Sequence, residues 1–324
     1  MSNATTKHML LTGGAGFIGC NLASLLLGEG HSVTIADKSS PVDPKLLDYW
    51  HSADILKFDE ISELIKLKEP HVIIHLAART DLSGKNLADY KVNIEGVSNL
   101  IEACNSSSKV QKIIFVSSML VCKAGYIPQS YDDYCPDTIY GESKMKMEQL
   151  IKSTQVTADW VIVRPTSIWG PWFRQPSRKF FDMLRDERYL DIGTRSATKT
   201  YGYVGNTCYQ ISKLCEENRA NGMTLYLGDK PPIFISDWSK EISEQLNLCN
   251  PRNPPYFLFK IASLLGDALG LIKLSFPLTS FRLKNMTTNN IIPLDDLYEL
   301  TGEPPFSREE GIKLTLEWMN NNVN

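Results

Sequence analysis

Short, continuously apolar runs alternate with amphipathic stretches along roughly the first 230 residues of this 324-residue chain. Runs such as Ile113-Ile114-Phe115-Val116 are typical of strands that are buried on both faces of a sheet. Because such strands alternate with helical stretches, the pattern predicts an α/β fold built on a doubly wound parallel sheet. The predicted strands are His8–Thr12, Val33–Asp37, Val72–Ala78, Lys112–Ser117, Trp160–Arg164 and Thr224–Gly228.

A glycine-rich turn joins the first predicted strand to the first predicted helix. Residues 12–19 read TGGAGFIG, with Gly13, Gly16 and Gly19 at every third position. The first glycine permits a tight turn, the second lets backbone N–H groups approach a phosphate, and the third permits close packing of the helix. Since a helix N-terminus attracts anions, this turn predicts a site for a dinucleotide pyrophosphate and a Rossmann-type sheet.

An acidic residue, Asp37, ends the second predicted strand about 20 residues beyond the glycines, where a carboxylate accepts hydrogen bonds from adenosine ribose. A plain helix or strand cap is the alternative reading. Because a carboxylate repels a 2′-phosphate, Asp37 favours NAD over NADP, although the neighbouring Lys38 weakens that preference.

The pattern changes after Arg164, where prolines and aromatic residues interrupt the regular alternation. We therefore predict an NAD-binding Rossmann domain at 1–170, to which 201–228 contribute. A smaller C-terminal substrate lobe is predicted at 171–200 and 229–324. Since ligands of doubly wound folds bind at the carboxyl ends of the strands, the substrate is expected between the sheet and this lobe.

A tyrosine and a lysine four residues apart, Tyr140 and Lys144, lie on one face of a predicted helix. The lysine charge, together with a positive nicotinamide ring, is expected to favour the phenolate of Tyr140, which then moves a proton while the nicotinamide carries hydride. Ser117 and Ser118 end the preceding predicted strand, where a hydroxyl can orient the reacting oxygen or simply cap a turn.

These motifs occur in the order seen in extended short-chain dehydrogenases/reductases, and over about residues 7–230 the chain resembles the NAD-dependent epimerase/dehydratase family that acts on nucleotide sugars. The resemblance rests on TGGAGFIG, the acid ending the second strand, Asp54-Ile55, Leu76-Ala77-Ala78, Asn93, the Ser-Ser strand end, YxxxK and Arg164-Pro165. It favours Ser118 over Ser117 as the catalytic hydroxyl, because Ser118 lies three residues before Val121 in a segment like the family's SSxxVYG.

Motif and resemblance together assign three sets of residues. The predicted catalytic set is Ser118, Tyr140 and Lys144. The predicted cofactor-binding set is Gly13, Gly16, Phe17, Ile18, Gly19, Asp37, Lys38, Asp54, Ile55, Leu76, Ala77, Ala78, Asn93, Tyr140, Lys144 and Pro165, with Asp54 and Ile55 flanking the adenine and Asn93 supporting the active-site helix. The predicted substrate-binding set is Thr80, Ser167, Arg195 and Lys199; the last two, like Arg174 and Arg178, contact a pyrophosphate or are solvated surface charges.

Dehydratases of the family carry an Asp-Glu pair directly after the catalytic hydroxyl residue, whereas this chain has Met119-Leu120, which carry no proton to donate. Dehydration is therefore disfavoured, and a UDP-hexose 4-epimerase-like reaction on a nucleotide sugar is favoured. The alternative is an NAD(P)-dependent dehydrogenase or reductase of a sugar or a 3β-hydroxysteroid-like substrate. The C-terminal segment from Phe306 to Trp318 resembles the closing helix of both classes.

Bulk properties restrict the partners. A net charge of -3 gives no electrostatic case for nucleic acid, and seven scattered cysteines without metal spacing predict reduced thiols in a cytoplasmic protein with no metal site. The polar N-terminus predicts no signal peptide. The apolar segment 257–274 is predicted to be a buried or lobe-packing helix, with a membrane-surface helix as the alternative and no stable membrane insertion. A homodimer is expected.

Overall fold

The computed structural model describes residues 6–174, 178–271, 276 and 278–322. Its centre is a seven-stranded sheet in which every neighbouring pair is parallel, in the order β10-β6-β5-β4-β1-β2-β3. Six of these strands follow the 3-2-1-4-5-6 order of dinucleotide-binding sheets, so the predicted α/β doubly wound fold is confirmed. The strands are β1 (His8–Thr12), β2 (Ser32–Asp37), β3 (Trp50–Ser52), β4 (Val72–His75), β5 (Lys112–Val116), β6 (Asp159–Pro165) and β10 (Thr224–Leu227).

Helices cover both faces of the sheet, and adjacent strand residues point to opposite sides. Leu10 lies in the core beneath one face and Leu11 in the core beneath the other. Helices α1 and α6 pack together on the Leu11 side, and α2, α3 and α4 on the Leu10 side. Their bounds are α1 (Phe17–Gly28), α2 (Phe58–Lys68), α3 (Glu95–Asn105), α4 (Ile139–Ser153) and α6 (Val204–Glu216).

All six strands that the apolar pattern predicts are present, with small shifts of their ends. The predicted strand Val72–Ala78 stops at His75, because the chain then turns over the glycine loop. Strand β3 was not predicted, since Trp50-His51-Ser52 is a short, largely polar edge strand without an apolar run.

The remaining strands and α-helices lie after β6, most of them in the ranges predicted for the substrate lobe; β7 and β9 lie just outside those ranges. Two small sheets pair β7 with β9 in parallel and β8 with β11 in antiparallel orientation. These elements are β7 (Ser167–Trp169), β8 (Thr198–Lys199), β9 (Tyr201–Tyr203), β11 (Ile233–Phe234), α5 (Arg178–Arg185), α7 (Ile235–Gln245), α8 (Tyr256–Leu271), α9 (Ser280–Thr287), α10 (Asp295–Thr301) and α11 (Arg308–Asn321).

The predicted buried or lobe-packing helix corresponds to α8, which buries Phe259 and Ser263 on one side and leaves apolar residues on the other; Leu264 is 65% exposed. The predicted segment's residues 272–274 lie outside the described residues. All seven cysteines are free thiols. Within the described part of the chain, no cluster of metal-ligating side chains occurs, and no helix has the length and apolar content needed to cross a membrane.

Candidate active site

The glycine turn between β1 and α1 is shaped by two close backbone approaches. A Cβ on Gly13, which has φ +69°, would lie 2.4 Å from the backbone nitrogen of Ala77, and one on Gly19 would lie 2.5 Å from Cα of Gly14. At Gly16, by contrast, a Cβ would meet only the Gly13 carbonyl oxygen, at 3.5 Å. The turn therefore has no space for a side chain at Gly13 and Gly19, where it packs on other backbone, but has space at Gly16, the position predicted to face the pyrophosphate.

The N-terminus of α1 has no side-chain cap and no acidic residue in its first turn. The first N–H groups of a helix have no intrahelical partner, so those of Phe17 and Ile18 suit an anion. This arrangement fits the diphosphate of a dinucleotide, because the donors are backbone groups and the first turn of α1 carries no acidic side chain.

Asp37 lies at the end of β2, beside the glycine turn. Its carboxylate accepts hydrogen bonds from the backbone nitrogens of Ala15, at 3.3 Å, and Ser39, at 3.0 Å. These bonds hold the carboxylate at the strand end where a ribose is expected, while the neighbouring Lys38 is exposed. The geometry thus places Asp37 next to the turn, as the sequence predicted.

The other predicted cofactor residues surround the same edge of the sheet. The Leu76–Ala78 segment crosses the glycine turn, since Leu76 N donates to Thr12 O at 2.8 Å. Ile55 is buried against Gly96 on α3, and Asp54 is half-buried beside it. Pro165 is the last residue of β6 and is buried.

Tyr140 and Ser118 are brought together by the packing of α4 on the turn that follows β5. Thr138 caps α4 by accepting from Gly141 N at 3.0 Å. A Cβ on Gly141 would lie 2.1 Å from the carbonyl oxygen of Leu120, so only glycine permits this contact. Ser118 accepts from Leu120 N at 3.1 Å, and its hydroxyl bonds to the phenol of Tyr140. Ser118 is therefore both a turn cap and a partner of Tyr140.

The pKa values of the predicted catalytic pair differ from the sequence-based expectation. Burial raises the pKa of the Tyr140 phenol to about 12, and the hydrogen bond from Ser118 acts in the opposite direction. Burial lowers the pKa of Lys144 to about 8, whereas the negative charge of Glu148 raises it. The ammonium of Lys144 donates to Val116 O at 2.8 Å, so in this arrangement lysine does not give Tyr140 a low pKa.

Asn93 acts through α4 and has no surface to offer a cofactor, because it is fully buried. Its amide donates to Ser143 Oγ at 2.8 Å, and Ser143 in turn donates to the carbonyl oxygen of Tyr140 at 2.7 Å. Its amide oxygen accepts from Arg79 N at 2.8 Å. The structure thus makes Asn93 a support of the active-site helix rather than a direct cofactor contact.

A buried ion pair lies directly behind the catalytic edge and was missed by sequence reasoning. Arg164 and Glu148 are both fully buried and form two hydrogen bonds, of 2.9 and 2.7 Å. Glu148 also accepts from Ser117 Oγ at 2.5 Å and from the Tyr134 hydroxyl at 3.1 Å. The two serines therefore differ: Ser117 bonds inward to the ion pair and Ser118 bonds to Tyr140. In the sequence, the one feature that could have pointed to Glu148 is its position four residues after Lys144 on the same predicted helix.

A cavity of about 940 Å³ lies in the lobe, beside the end of β6. Its walls are largely aromatic and aliphatic, with Trp169, Tyr201, Trp238 and Phe259 among them. None of Ser118, Tyr140 and Lys144 lines it. Ser167, two residues after Pro165, is one of the lining residues, and most of the others lie in the segments after β6 that are predicted to form the substrate lobe.

The charged side chains that line the described part of this cavity are all cationic: Lys179, Arg188, Lys199 and Arg282. Burial lowers the pKa of Lys199, and its ammonium has no hydrogen-bonding partner among the described residues. Asn290 connects strand β8, which carries Lys199, to the turn after β5, which carries the predicted catalytic Ser118. Asn290 N donates to Thr198 O at 3.0 Å, and its side-chain amide contacts the sulfur of Met119 at 3.7 Å.

The structure separates the predicted substrate residues. Ser167 and Lys199 line the cavity, whereas Arg195 is exposed and stacks on the Tyr256 ring at 4.5 Å. Thr80 is exposed on the loop after β4, away from the cavity lining. Of the two other arginines considered, Arg174 is exposed and Arg178 pairs with Asp182 at 3.4 Å.

Comparisons with known proteins give the family and the fold of the chain. The family model described as NAD dependent epimerase/dehydratase family matches residues 9–223. A 3β-hydroxysteroid dehydrogenase/Δ5→4-isomerase of Mycobacterium tuberculosis is 28% identical over 270 residues, covering 76% of this chain and 70% of that protein.

An N-acetyl-α-D-glucosaminyl-diphospho-ditrans,octacis-undecaprenol 4-epimerase of Escherichia coli O157:H7 is 23% identical over 319 residues, covering 96% of this chain and 95% of that protein. The crystal structure of a UDP-glucose 4-epimerase with UDP-glucose from Thermotoga maritima superposes with a TM-score of 0.77 at 20% identity, covering 98% of this chain and all of that one. At this identity the superposition shows that the fold is shared.

Proposed function

Because the chain belongs to the NAD-dependent epimerase/dehydratase family, we propose that it transfers hydride at a secondary alcohol carbon, with Ser118, Tyr140 and Lys144 as its catalytic set. It is an enzyme, and NAD is its cofactor. Bound NAD supplies the hydride acceptor and, once reduced, the hydride donor. The chain's own residues position the substrate oxygen and move its proton.

Tyr140 is the proposed proton carrier. With a pKa of about 12 its phenol is protonated near neutral pH, which is the form that donates a proton to a carbonyl oxygen during reduction. In the oxidative direction the same oxygen would take the hydroxyl proton of the substrate as the phenolate, a form that the positive charge of bound NAD would favour, since burial alone keeps the phenol protonated. Ser118, oriented by Leu120 N, would hydrogen-bond the reacting oxygen. Lys144, which is buried and donates to Val116 O, would hold the nicotinamide ribose once NAD is bound.

The proposed substrate is an amphiphile with an apolar body and an acidic group, and the cavity lining is the observation that supports this choice. An apolar body buried against Trp169, Trp238 and Phe259 gains roughly 25 cal/mol for each Å² of apolar surface removed from water. An acidic group, phosphate or carboxylate, complements Lys199, whose ammonium is otherwise unpartnered among the described residues.

This substrate class has two sources: a sugar carried on a polyprenyl diphosphate, as in the E. coli 4-epimerase, and a hydroxysteroid that also bears a carboxylate, whose alcohol is of the kind named for the mycobacterial dehydrogenase. A nucleotide-sugar 4-epimerase is the second candidate, because Lys199 complements a nucleotide diphosphate equally well. We rank the nucleotide sugar below the amphiphile because its base and ribose would find few hydrogen-bonding partners in the largely apolar cavity lining.

The test offers the chain and NAD three probes in parallel: undecaprenyl-diphosphate-linked N-acetylglucosamine, a 3-hydroxysteroid carboxylate and UDP-glucose. NADH absorbance and product mass separate the outcomes, since epimerisation leaves mass and net NADH unchanged and oxidation produces NADH. We expect turnover on one of the amphiphiles. Turnover on UDP-glucose alone would reject the amphiphile and support the second candidate.

A charge variant tests the proposed anion contact. Lys199→Gln should raise KM for the active amphiphile about tenfold with little change in kcat, because about 1.4 kcal/mol is a modest value for a charge-assisted contact made before and during reaction. Lys213→Gln, on α6 beside the Tyr209 ring, is the matched control. An unchanged KM in Lys199→Gln would place the anion elsewhere.

A further inference from the structure

The outward side of α8 carries a continuous apolar stripe. Phe257, Leu258, Ile261, Leu264 and Leu265 follow the spacing of one helix face, and their exposed fractions run from 44 to 65%. Such a row of large exposed apolar side chains is unusual on a water-facing helix, where apolar residues occur singly. Phe281 on the adjoining helix α9, 68% exposed, adds to the same patch.

The opposite side of α8 fixes this orientation. Phe259 and Ser263 are buried, and a Cβ on Gly266 would lie 1.9 Å from the carbonyl oxygen of Leu278. At Gly266 the helix backbone lies directly against the segment before α9, which fixes the rotation of α8 and leaves Leu264 and Leu265 on the outward side. The apolar stripe thus faces outward because Phe259, Ser263 and Gly266 pack on the inner side of the helix.

Positive charge accompanies the stripe. Lys260 flanks it on α8, and Arg282 and Lys284 are exposed on α9, while Asp267 is the one acidic residue of the two helices. The chain as a whole has a net charge of -3, so this patch is opposite in sign to the rest of the molecule. An apolar helix face flanked by lysine and arginine is the pattern of helices that lie in an anionic bilayer surface.

We propose that the outward face of α8, with Phe281, docks on the surface of an anionic lipid bilayer. The apolar side chains enter the boundary between headgroups and acyl chains, about 5–10 Å deep, and the flanking cations meet anionic headgroups. A second copy fits this face less well, because a two-fold interface pairs the same patch with itself and would bring Lys260, Arg282 and Lys284 near their own copies.

The docking face and the cavity are two sides of the same helix. Phe259 and Ala262 line the cavity, and Leu258 both lines it and is 44% exposed. A lipophilic ligand in the bilayer would therefore reach the cavity at the edge of α8 without crossing water. This interaction goes beyond the proposed reaction and is independent of it, since Leu264, Leu265 and Phe281 belong to neither the cavity lining nor the proposed catalytic set.

Vesicle sedimentation tests the proposal on the full chain. The probes are vesicles of phosphatidylcholine alone and of phosphatidylcholine with phosphatidylglycerol. Wild-type protein should sediment with the anionic vesicles, less with the neutral ones, and less again at high salt. The variant Leu264→Gln/Leu265→Gln should lower the partition coefficient about tenfold or more, because both side chains then resist burial in the lipid boundary.

The matched control is Leu67→Gln on α2, which removes one leucine that is 74% exposed but stands outside any apolar stripe; its vesicle binding should equal that of wild type. NAD binding should be unchanged in all variants, so loss of vesicle binding is separable from failure of the proposed reaction. Wild-type protein that stays in the supernatant with both vesicle types would overturn the proposal. So would a stable dimer that the double variant converts to monomer, since a second copy would then cover the face.

Discussion

Helices α1 and α8 contain the same tetrapeptide, Ala-Ser-Leu-Leu, at residues 23–26 and 262–265, and they bury opposite sides of it. In α1 Leu26 is fully buried and the serine is exposed; in α8 Ser263 is buried and Leu265 is 56% exposed. Because the local sequence is identical, the difference comes from what each helix packs against. Helix α1 packs on the central sheet, whereas the described packing of α8 is a small apolar cluster around Phe259 and the close contact at Gly266.

The same contrast holds for charge. In the cofactor half, Arg164 and Glu148 are taken out of water as a fully hydrogen-bonded pair behind the active site. In the lobe, cations line an apolar cavity without an acidic residue among the described lining. A paired buried charge holds a structure in place, whereas Lys199, whose ammonium has no partner among the described residues, leaves room for a charge supplied by a ligand. The two halves thus differ in how their charges are paired: in the cofactor half the fold supplies the partner, whereas in the lobe we expect a ligand to supply it.

The largest effect is expected where the tetrapeptide is buried. Leu26→Ala should lower the free energy of unfolding by about 2–5 kcal/mol, because it removes apolar contacts and leaves a cavity between α1 and the sheet. Urea unfolding followed by circular dichroism measures it. A loss under about 1 kcal/mol would mean that the α1 side of the core is as loosely packed as the outer face of α8.

Removal of the phenolic oxygen should separate chemistry from binding. Tyr140→Phe should lower kcat by about two orders of magnitude or more, while NAD binding by titration stays near that of wild type, because the ring remains and only the proton carrier is lost. Tyr49→Phe, at an exposed position in the same half, serves as the control and should leave kcat unchanged. Near-normal turnover in Tyr140→Phe would assign the proton step to another group.

The cofactor half should also lose stability in acid because of His75. Burial, with a smaller contribution from Lys144, lowers the pKa of His75 to about 3 from 6.5. Above pH 6.5 both folded and unfolded states carry neutral histidine. As the pH falls towards 3, only the unfolded state binds the proton, so stability falls by up to about 1.4 kcal/mol for each pH unit.

Thermal melts from pH 7 to about pH 5 in wild type and His75→Gln test this expectation. The variant should show a shallower fall in melting temperature over that window, since glutamine does not titrate. Parallel curves for the two proteins would show that His75 is not the group responsible.

Cofactor selectivity is expected to be modest. Asp37 should favour NAD over NADP at least about tenfold, roughly 1.4 kcal/mol, because its fixed carboxylate repels a 2′-phosphate. Asp37→Asn should shrink the ratio of the two dissociation constants, measured by fluorescence titration. Equal or tighter binding of NADP by wild type would reject the role of Asp37.

The smallest effect is expected at the exposed copy of the tetrapeptide. Leu265→Ala should change the free energy of unfolding by no more than about 0.5 kcal/mol, since its side chain is largely in solvent in both states. Measuring Leu26→Ala and Leu265→Ala under the same conditions compares directly how much each copy of the tetrapeptide contributes to the free energy of unfolding. A cost of several kcal/mol for Leu265→Ala would show that its outward face is covered in solution.

The sequence by itself determined the sheet, the glycine turn and the cofactor. These depend on local rules: an apolar run makes a buried strand, glycines at every third position between strand and helix make the phosphate-binding turn, and Asp37 ends the second strand. The placement of Tyr140 and Lys144 on one helix face could be predicted for the same reason, because it follows from their spacing alone.

Tertiary structure alone decided the rest. The contact of Gly141 with Leu120 sets Ser118 against Tyr140, and burial rather than lysine sets the pKa of the phenol. The partners Glu148 and Arg164 lie 16 residues apart on a helix and a strand, and spacing gave no sign of their pairing. In α8, apolar residues occupy both sides of the helix, so periodicity could not say which side faces outward. That choice follows from long-range packing, which Ala-Ser-Leu-Leu does not encode.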